Sequence, residues 1–575
     1  MNSPVRVVTC LLYAFITFCG VNAEGDDFKP IPPKAGSWVG PTTGEVWPNP
    51  QIRFRQNSFF VLQVDQFEFK LNNAAASSDI VNESVVRFKD RMFPGQAQRA
   101  REARQTRFRF QPPLNGREST EFSYNVGQLD TIHVILESAC GNCEKYPYMG
   151  MNETYEIVLN PDSSEEQFVV SSSVWGLLRG LESISQMVYI SPENNYSYQI
   201  NVTRVIDFPR FPHRGFMLDT ARHYLSMNTI LQTLDLMEMN KLNVLHWHIV
   251  DTESFPYQST TFPDLSAKGA YDPYTHVYSQ EDVRLIIESA RVRGIRVMVE
   301  FDTPGHTQSW EKGQPGLLTE CYDPTTERPN GRYGPMDPTK NEVFEFLTEL
   351  YQEISEVFPE EYIHIGGDEV STNCWRSNPF VNDFMNQWNI TGDYKRLESY
   401  FIETLLVIVD KLPRNNIPVV WQEVFDNGDN ISPETVVQVW KNWGIGWRNR
   451  MQAITTAGQP AILSAPYYLN YIKYGSDWVE MYEEDPHDFA GTEEDKQLVL
   501  GGETCIWAEF VNSINLIPRA WPRASAVAER LWSSRDTRNI SEASSRLQEH
   551  ECRMLGRGYP VSPVVGAGFC SVKWN

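Results

Sequence analysis

The stretch Tyr362-Ile363-His364-Ile365-Gly366-Gly367-Asp368-Glu369-Val370 runs from apolar, β-forming residues into two glycines and two adjacent acids. Its first half has the pattern of a buried strand. The glycines would let a ligand or another backbone segment approach closely. Asp368 and Glu369 then stand at the carboxyl end of the strand, which in a barrel of parallel strands is the face that carries the chemistry. Taken alone, the stretch fits a core strand with an acidic turn equally well.

After residue 207, strand-like runs of this kind alternate with helical patterns. Helix starts are indicated by Ser226, by Ser279 with Asp282, and by Thr339 with Glu342. The predicted strands, including the opening stretch, cover residues 215–219, 244–251, 297–302, 362–368, 419–421, 436–440, 461–465 and 498–507. Eight such units predict an α/β fold, a (β/α)8 TIM barrel over residues 207–575.

Residues 24–206 have a different composition and predict a smaller α+β domain that precedes the barrel. Segments 59–64 and 131–136 have the pattern of strands, and 173–187 has that of a helix. The domain contains a basic stretch at residues 99–109, which indicates either a solvated loop or a processing site.

Residues 1–23 have the pattern of a cleaved signal peptide: Arg6, then an apolar run, then Val21-Asn22-Ala23. No later apolar run is long enough to span a bilayer. We therefore expect a secreted or lysosomal protein. Its net charge of −24 disfavours nucleic acid and anionic membrane surfaces as partners.

Sequons and cysteines agree with an oxidising compartment. The sequons begin at Asn82, Asn152, Asn195, Asn201, Asn389, Asn430 and Asn539. Cysteine spacing suggests the pairs Cys140–Cys143 and Cys552–Cys570, with Cys321–Cys374 closing a longer loop. Cys505 would remain, either as a buried thiol or, less simply, as a nucleophile.

Polar and aromatic residues stand at nearly all of the predicted strand ends. They are Asp219, Arg222, His223, Asp251, Asp302, His306, Asp368, Glu369, Trp421, Trp440, Tyr468, Asn470, Trp507 and Glu509. Each alone has a structural explanation, but together they fit a sugar site. Tryptophan rings pack on the apolar faces of a pyranose while polar groups bind its hydroxyls.

Cofactors are not expected. No phosphate-binding loop or dinucleotide fingerprint opens a helix. His246-Trp247-His248 places two imidazoles on one face of a strand, which could bind zinc, but the sequence offers no evident third ligand.

The two adjacent acids limit the mechanism. Most glycosidases use two carboxyls that flank the sugar, whereas neighbours on a strand point to opposite sides. We expect the two acids to have different roles. Glu369 would protonate the leaving oxygen, and Asp368 would hold a 2-acetamido group of the substrate. The oxygen of that group would then attack the anomeric carbon.

Four motifs resemble β-N-acetylhexosaminidases of glycoside hydrolase family 20. They are His246-Trp247-His248-Ile249-Val250-Asp251, Phe301-Asp302-Thr303-Pro304-Gly305-His306, Gly366-Gly367-Asp368-Glu369 and Trp521-Pro522-Arg523-Ala524. The resemblance runs from about residue 210 to residue 570, and more weakly over the preceding domain. It implies an exo-acting, retaining enzyme for terminal β-linked N-acetylglucosamine or N-acetylgalactosamine.

The resemblance also implies roles for single positions. Glu369 is similar to the acid/base of the family and Asp368 to its acetamido-orienting acid. Tyr468 resembles the residue that binds the acetamido oxygen, and Asp251 with His306 resembles a relay behind the acid. The walls of the acetamido pocket would be Trp421, Trp440 and Trp507, and the groups that bind hydroxyls would be Arg222, Asn470 and Glu509.

Two further expectations concern the substrate. Tyr471 follows Asn470, where acid-tolerant members of the family have Arg, so we expect no preference for sulfated or sialylated sugars. Trp478 is expected to form an outer wall for a longer chain. The candidate partners are a glycan or chitooligosaccharide and a second copy in a homodimer. The alternatives are a carbohydrate-binding protein without activity and a glycosidase with an ordinary carboxylate nucleophile.

Overall fold

The computed structural model describes residues 43–93, 124–138, 145–161, 166–191, 197–566, 568 and 570. The predicted signal peptide, the basic stretch at 99–109, the pair Cys140–Cys143 and the sequon at Asn195 lie outside these residues.

The first unit is a mixed eight-stranded sheet in the order β2-β4-β6-β5-β8-β1-β3, with β7 paired to β8. Its strands are β1 (Ile52–Leu62), β2 (Glu68–Leu71), β3 (Asn125–Leu129), β4 (Thr131–Leu136), β5 (Tyr155–Leu159), β6 (Phe168–Ser171), β7 (Tyr189–Ser191) and β8 (Ser197–Asp207). The helices are α1 (Asn73–Ala76), α2 (Asp79–Met92) and α3 (Val174–Met187). This confirms the α+β prediction for the first unit.

Helix α3 joins this sheet to the rest of the molecule. All of its residues are buried. On one side, a Cβ added at Gly180 would lie 2.6 Å from a methyl group of Val169 in β6, so the helix packs closely on the sheet. On the other side, the Arg179 guanidinium donates to the carbonyl oxygen of Gly294 at 2.7 Å. The helix therefore lies between the sheet and the second unit.

The second unit is a closed parallel barrel in the order β9-β10-β11-β14-β15-β16-β17-β18, as predicted. Its strands are β9 (His213–Asp219), β10 (Val244–Val250), β11 (Arg296–Phe301), β14 (Tyr362–His364), β15 (Ile417–Trp421), β16 (Val436–Val439), β17 (Ala461–Leu463) and β18 (Val499–Ile506). A hairpin of β12 (Leu318–Tyr322) and β13 (Pro329–Met336) extends one loop.

The helices around the barrel also follow the predicted alternation. They are α4 (Met227–Met239), α5 (Asp264–Gly269), α6 (Gln280–Arg291), α7 (Gln308–Gly313), α8 (Asn341–Val357), α9 (Asn373–Ser377), α10 (Pro379–Gln387), α11 (Tyr394–Asp410), α12 (Gln422–Asp426), α13 (Gly446–Thr456), α14 (Trp478–Glu483), α15 (Glu493–Gln497), α16 (Leu516–Ala520), α17 (Arg523–Trp532) and α18 (Ile540–Gly556).

Two of the three predicted helix caps are confirmed. Ser226 caps α4, and Ser279 with Asp282 forms a capping box on α6. The third prediction was wrong, since α8 has no side-chain cap. The Thr339 hydroxyl donates instead to the side chain of Asp337 at 2.7 Å, a local contact outside the helix.

The barrel interior is layered, because alternate residues of each strand point inward. The lowest layer is an apolar cluster of Val244, Met298, Val419, Val436 and Ile462. The next inward positions along the same strands are polar or aromatic, among them His246, Glu300, Trp421 and Gln438. The third layer faces the mouth of the barrel.

A buried ion pair joins the two units at the end of β8. The Lys241 ammonium donates to Asp207 Oδ2 at 2.8 Å and to the Tyr155 hydroxyl at 2.9 Å. The Trp532 indole N–H at the end of α17 also donates to Asp207. Buried charges of this kind need their partners, so the pair holds the units in register.

The last helix clasps the start of the described chain. In α18, Glu549 Oε1 accepts the backbone N–H groups of Thr43 at 3.1 Å, Gly44 at 2.9 Å and Glu45 at 3.0 Å. Arg553 donates to the carbonyl oxygen of Glu45 at 2.6 Å.

Cysteine pairing agrees with prediction where it is described. Cys321 pairs with Cys374 and Cys552 with Cys570, and Cys505 is unpaired and buried. Burial raises the pKa of the Cys505 thiol well above its usual value, which opposes a role as nucleophile. No helix within the described ranges combines the length and the apolar character that a membrane crossing requires.

One predicted sequon was wrong. Asn201 is only 6% exposed, and its amide donates to the carbonyl oxygen of Gln56 at 2.9 Å, so a glycan has no access to it. The exposed sequon asparagines are Asn82, Asn152, Asn389, Asn430 and Asn539.

Candidate active site

Strand β14 ends at His364, earlier than predicted, because the next residues turn. Gly366 and Gly367 have φ values of 76° and 97°, and Glu369 has 49°. A Cβ at Gly366 would lie 1.6 Å from Asp302 Oδ1, so only glycine fits. The Gly367 N–H donates to the same oxygen at 3.1 Å. The glycines therefore admit the Asp302 carboxyl and aim the following acids at the barrel mouth.

The two acids meet at one imidazole but differ in exposure. The nearest carboxylate oxygens of Asp368 and Glu369 each lie 3.8 Å from His306 Nε2. Asp368 is buried, and its Oδ1 has no hydrogen-bond partner among the described residues. The Glu369 side chain is 59% exposed. One acid is thus a buried acceptor, and the other reaches into open space.

A second carboxyl stands behind Asp368. Asp302 is buried. Burial, and after it the Asp368 carboxylate with which it shares a hydrogen bond, raise the pKa of Asp302 well above its usual value. Asp302 is therefore the protonated member of this pair.

His306 is held as a cation. Its Nδ1 lies 3.2 Å from Asp251 Oδ1. Burial alone would lower the pKa of His306, but Asp368 and Asp251 outweigh burial and raise the pKa to about 9. The ring therefore carries positive charge at neutral pH, between Asp251 and the two acids.

Behind His306, a chain of alternating charges extends into the barrel. His248 Nε2 lies 2.8 Å from Asp251, and its Nδ1 lies 2.6 Å from Glu300. His246 lies 3.0 Å from Glu300 and 2.7 Å from Glu503. Burial opposes the charge on both rings, yet the carboxylates raise the pKa of His246 to about 9 and that of His248 to about 10. This series of ion pairs therefore runs from Glu503 to the mouth of the barrel.

These contacts bear on the zinc hypothesis for His246 and His248. The structure brings Glu300 and His364 into the group, with ligand-type atoms of His246, Glu300 and His364 within 4.8 Å of one another. However, the rings of His246 and His364 are stacked, with centroids 4.7 Å apart and planes at 24°. Lone pairs that lie in near-parallel ring planes do not converge on one tetrahedral ion. The arrangement fits an ion-pair network better than a metal centre.

The predicted tryptophans meet at the mouth. The ring centroid of Trp421 lies 6.5 Å from that of Trp440 and 6.1 Å from that of Trp507. Trp440 in turn lies 6.4 Å from Tyr468. Burial first, and the Asp368 carboxylate among its neighbours, raise the pKa of Tyr468 well above its usual value, so its hydroxyl remains a donor. The aromatic wall therefore borders Asp368.

Two glutamates fix this wall, and the sequence hypothesis gave neither of them a role. The Trp421 indole N–H donates to Glu300 at 2.7 Å, and that of Trp440 donates to Glu423 at 2.8 Å. Glu423 comes two residues after the strand-end Trp421, so its position was a signal that could have been used.

The predicted hydroxyl-binding groups also lie here. The Arg222 guanidinium contacts Asp251 at 2.8 Å, Asp219 at 3.3 Å and Glu253 at 3.3 Å, and lies 4.9 Å from the Trp507 ring centroid. Those acids, with Glu509, outweigh burial and raise its pKa above the usual value.

Asn470 also has an open acceptor at the mouth. Its Oδ1 is buried and has no hydrogen-bond partner among the described residues. It therefore remains available to a ligand.

Trp478 was wrongly predicted as an outer wall. It is 3% exposed and packs in a separate cluster with Trp47 and Tyr482. Its indole N–H donates to the carbonyl oxygen of Val564 at 3.1 Å. The ring, at the start of α14, is a core element that packs in one cluster with Trp47 and Val564, and it is out of reach of a glycan.

Comparisons with known proteins agree with this geometry. The profile of the glycosyl hydrolase family 20 catalytic domain matches residues 211–535, and a profile described as beta-acetyl hexosaminidase like matches residues 46–187. The chain is 44% identical over 545 residues to beta-hexosaminidase subunit alpha of Bos taurus, covering 94% of this chain and 97% of the relative. It is 50% identical over 441 residues to beta-hexosaminidase subunit beta of Homo sapiens, covering 76% of each. Among solved structures, Flavobacterium johnsoniae chitobiase superposes with a TM-score of 0.72 at 25% identity, over 90% of this chain and 73% of that one.

Proposed function

Because the chain belongs to glycosyl hydrolase family 20 and is a glycosidase of the β-hexosaminidase type, we propose that it acts on the non-reducing ends of glycans or chitooligosaccharides. It removes terminal β-linked N-acetylglucosamine or N-acetylgalactosamine with retention of configuration. The observation that carries the proposal is the asymmetry of the acid pair. Asp368 is a buried acceptor with an open oxygen, and Glu369 is exposed, yet both approach His306 Nε2 to 3.8 Å.

The two acids divide the work. Asp368 accepts the N–H group of the substrate's 2-acetamido group on its open Oδ1 and stabilises the positive charge that develops on that group. The acetamido carbonyl oxygen attacks the anomeric carbon, and the Tyr468 hydroxyl donates to it. Glu369 protonates the leaving oxygen and then activates the water that opens the intermediate. Because the anomeric carbon is inverted twice, the product keeps the configuration of the substrate.

The residues behind the two acids place a positive charge close to both of them. Cationic His306 stabilises both carboxylates, and Asp251 orients its ring through Nδ1. When Glu369 has released its proton to the leaving group, the new carboxylate faces this imidazolium. His306 and Asp251 are thus positioning residues for the acid.

The walls select the sugar. Trp421, Trp440 and Trp507 enclose the methyl group of the acetamido substituent. Arg222, Asn470 and Glu509 bind the hydroxyls of the terminal ring. Since Arg222 is surrounded by carboxylates and Tyr471 follows Asn470, neutral sugars are preferred over sulfated or sialylated ones.

The test compares two chromogenic substrates. The 4-nitrophenyl β-N-acetylglucosaminide should be cleaved, and the matched glucoside, which lacks the acetamido group, should not. Equal rates would exclude the acetamido oxygen as nucleophile. A covalent glycosyl adduct on an Asp or Glu would instead show an enzyme carboxylate nucleophile, and binding without product release would show an inactive carbohydrate-binding protein.

Location and assembly follow as further proposals. The exposed sequons, the two disulfides and the signal-like start support entry into the secretory pathway, to the lysosome or the exterior. The curated relatives are named as subunits, which supports assembly of this chain with another chain, and we propose a second copy as that partner.

A further inference from the structure

A group of aromatic rings outside the active site spans α10 and α11. The Trp388 indole, which follows the last residue of α10, is 56% exposed. It stacks on Phe384, with ring centroids 5.4 Å apart and planes at 27°, and its centroid lies 5.4 Å from that of Tyr400 in α11. Phe384 and Tyr400 are partly buried and support the outer ring, and we call these three residues the Trp388 stack. A supported ring that stays in solvent differs from a scattered apolar residue and indicates a binding surface.

The turn that follows Trp388 is fixed on its inner side. Asn389 lies in the left-handed region at φ 55°. Its N–H donates to the carbonyl oxygen of Asn386 at 3.3 Å, and the N–H of Ile390 donates to that of Met385 at 3.0 Å, which is the pattern of a Schellman turn. Ile390 packs on the buried cluster that contains Met385. The Asn389 side chain is therefore presented on a rigid turn, and it is exposed.

Helix termination alone does not account for the sequence of this turn. Asparagine is the usual alternative to glycine at a left-handed position, which explains the residue without any modification. However, Asn389 also begins the sequon Asn389-Ile390-Thr391, and the exposed ring of the stack precedes it directly. Its side chain makes no hydrogen bond within the described ranges, whereas the Asn82 amide donates to the carbonyl oxygen of Ser78 at 2.8 Å. A group attached to Asn389 is thus free to turn towards the ring.

We propose that Asn389 carries an N-linked glycan whose inner N-acetylglucosamine residues pack on the Trp388 stack. Consecutive Cα atoms are about 3.8 Å apart, so a sugar linked to Asn389 begins within one side-chain length of the indole. A pyranose has an apolar C–H face that suits an aromatic ring, and neither the stack nor the inner part of an N-glycan carries charge. The occupant of this surface is therefore a modification of the chain itself.

Attachment requires the lipid-linked oligosaccharide diphosphate of the secretory pathway as donor. The bond between its anomeric carbon and the diphosphate breaks, a bond from that carbon to Asn389 Nδ2 forms, and one amide proton leaves to the diphosphate. In this respect the proposal rests on the secretory route proposed above, and it is independent of the catalytic role of the chain. Packing on Trp388 follows once the turn has folded.

The experiment measures how fast a peptide-N-glycosidase releases each glycan from the native full chain, secreted by a mammalian cell line. This enzyme must reach the innermost sugar, so packing on a ring slows the release. Mass spectrometry of the peptides gives the occupied fraction at every sequon over time. For Trp388→Ala, which keeps the sequon, we expect release at Asn389 to be about three- to tenfold faster than in the unaltered protein. Trp388→Phe retains a ring and should retain most of the protection.

Three controls separate the ring from general effects. Phe380→Ala removes a ring that is 67% exposed on the same helix but pairs with Tyr322, at 6.4 Å between centroids, and it should leave release at Asn389 unchanged. Release at the other occupied sequons should be the same in all variants. After denaturation, the unaltered protein and Trp388→Ala should lose the Asn389 glycan at equal rates.

Each contrary outcome overturns the proposal. An unmodified Asn389 alongside glycans at other sequons would leave that residue as a helix cap only. Equal release from native Trp388→Ala and the unaltered protein would mean that the ring does not touch the glycan, and faster release from Phe380→Ala as well would mean a general loosening of α10. A lower sedimentation coefficient for Trp388→Ala would assign the surface to a contact between copies. A chain without glycan at any sequon would also contradict the secretory route, whereas hydrolysis of the chromogenic substrate tests the catalytic function separately.

Discussion

Glu369 differs from the other acids near His306 in being largely exposed, with a backbone in the left-handed region at φ 49°. Its carboxyl can therefore reach a leaving oxygen. Glu369→Gln keeps the shape and removes the transferable proton, so kcat should fall by about 10²- to 10⁴-fold with little change in KM. The measurement is steady-state hydrolysis of the 4-nitrophenyl acetamido substrate. Glu493→Gln, an exposed glutamate on α15, is the control, and unchanged turnover for Glu369→Gln would remove that residue from the role.

His306 predicts a pH dependence of stability. Its pKa is raised to about 9 in the folded protein, against about 6.5 for an ordinary imidazole, so folding favours the charged ring. The resulting stabilisation, about 3 kcal/mol at most, is complete below about pH 6.5 and is lost as the pH rises through about 9. The Tm difference between the unaltered protein and His306→Gln should thus be largest near pH 6 and narrow towards about pH 10. A Tm difference that stays constant with pH would contradict the assignment of a positive charge to His306.

Strand β11 and helix α11 each bury a glutamate, and the two should respond oppositely to the same substitution. Burial opposes the charge of Glu300, but the His364 and His248 rings lower its pKa well below the usual value. For Glu398, burial and then Asp429 and Glu423 raise the pKa to about 8, so it is protonated at pH 7. Gln resembles a protonated Glu. Glu300→Gln should therefore cost on the order of 3–5 kcal/mol, because it removes the carboxylate that the buried His246 and His248 imidazolium rings share.

Glu398→Gln should cost less than about 1 kcal/mol at pH 7, since it replaces a neutral donor with another. Thermal unfolding of both variants at that pH makes the comparison. Equal Tm shifts would show that the alternating chain in the barrel is not charged as described. Glu300→Gln should also reduce activity, because the Trp421 indole loses the carboxylate that fixes it.

The elements show where sequence patterns suffice and where they do not. Eight barrel strands were predictable because each is a short apolar run followed by a helical period. Which side chains face inward above the first layer was also readable, since alternation along the strands leads from the apolar layer to Glu300, Trp421 and Gln438. The start of α8 was not readable, because Thr339 contacts Asp337 and does not accept a helix N–H group, which the capping pattern does not reveal.

Two predictions failed because contacts with residues distant in sequence bury the side chain. Asn201 has a normal sequon, but β8 pairs on both sides and buries its amide against Gln56. Trp478 follows the site residues closely in sequence, yet it lies in a buried cluster with Trp47, which stands far earlier in the chain. Neither contact leaves a local trace in composition or spacing.

For the whole molecule, the join between sheet and barrel depends on the buried Asp207. Asp207→Ala leaves the Lys241 ammonium buried without its carboxylate, and should lower the free energy of unfolding by about 3–5 kcal/mol. The control is Glu156→Ala, which breaks a surface pair with Arg204 of the same 2.8 Å length and should cost less than about 1 kcal/mol. Differential scanning fluorimetry gives both Tm values. Similar shifts for the two variants would mean that the buried pair does not hold the units together.

The clasp between Glu549 and the segment that begins at Thr43 has a practical consequence. Gly44 and Glu549 are 505 positions apart in sequence and 2.9 Å apart as hydrogen-bonded atoms. Donor and acceptor dyes placed on either side of this contact would transfer energy efficiently while the helix stays docked. The loss of energy transfer during denaturation can be compared in time with the loss of catalysis. The comparison would show whether this contact separates before the rest of the protein unfolds or together with it.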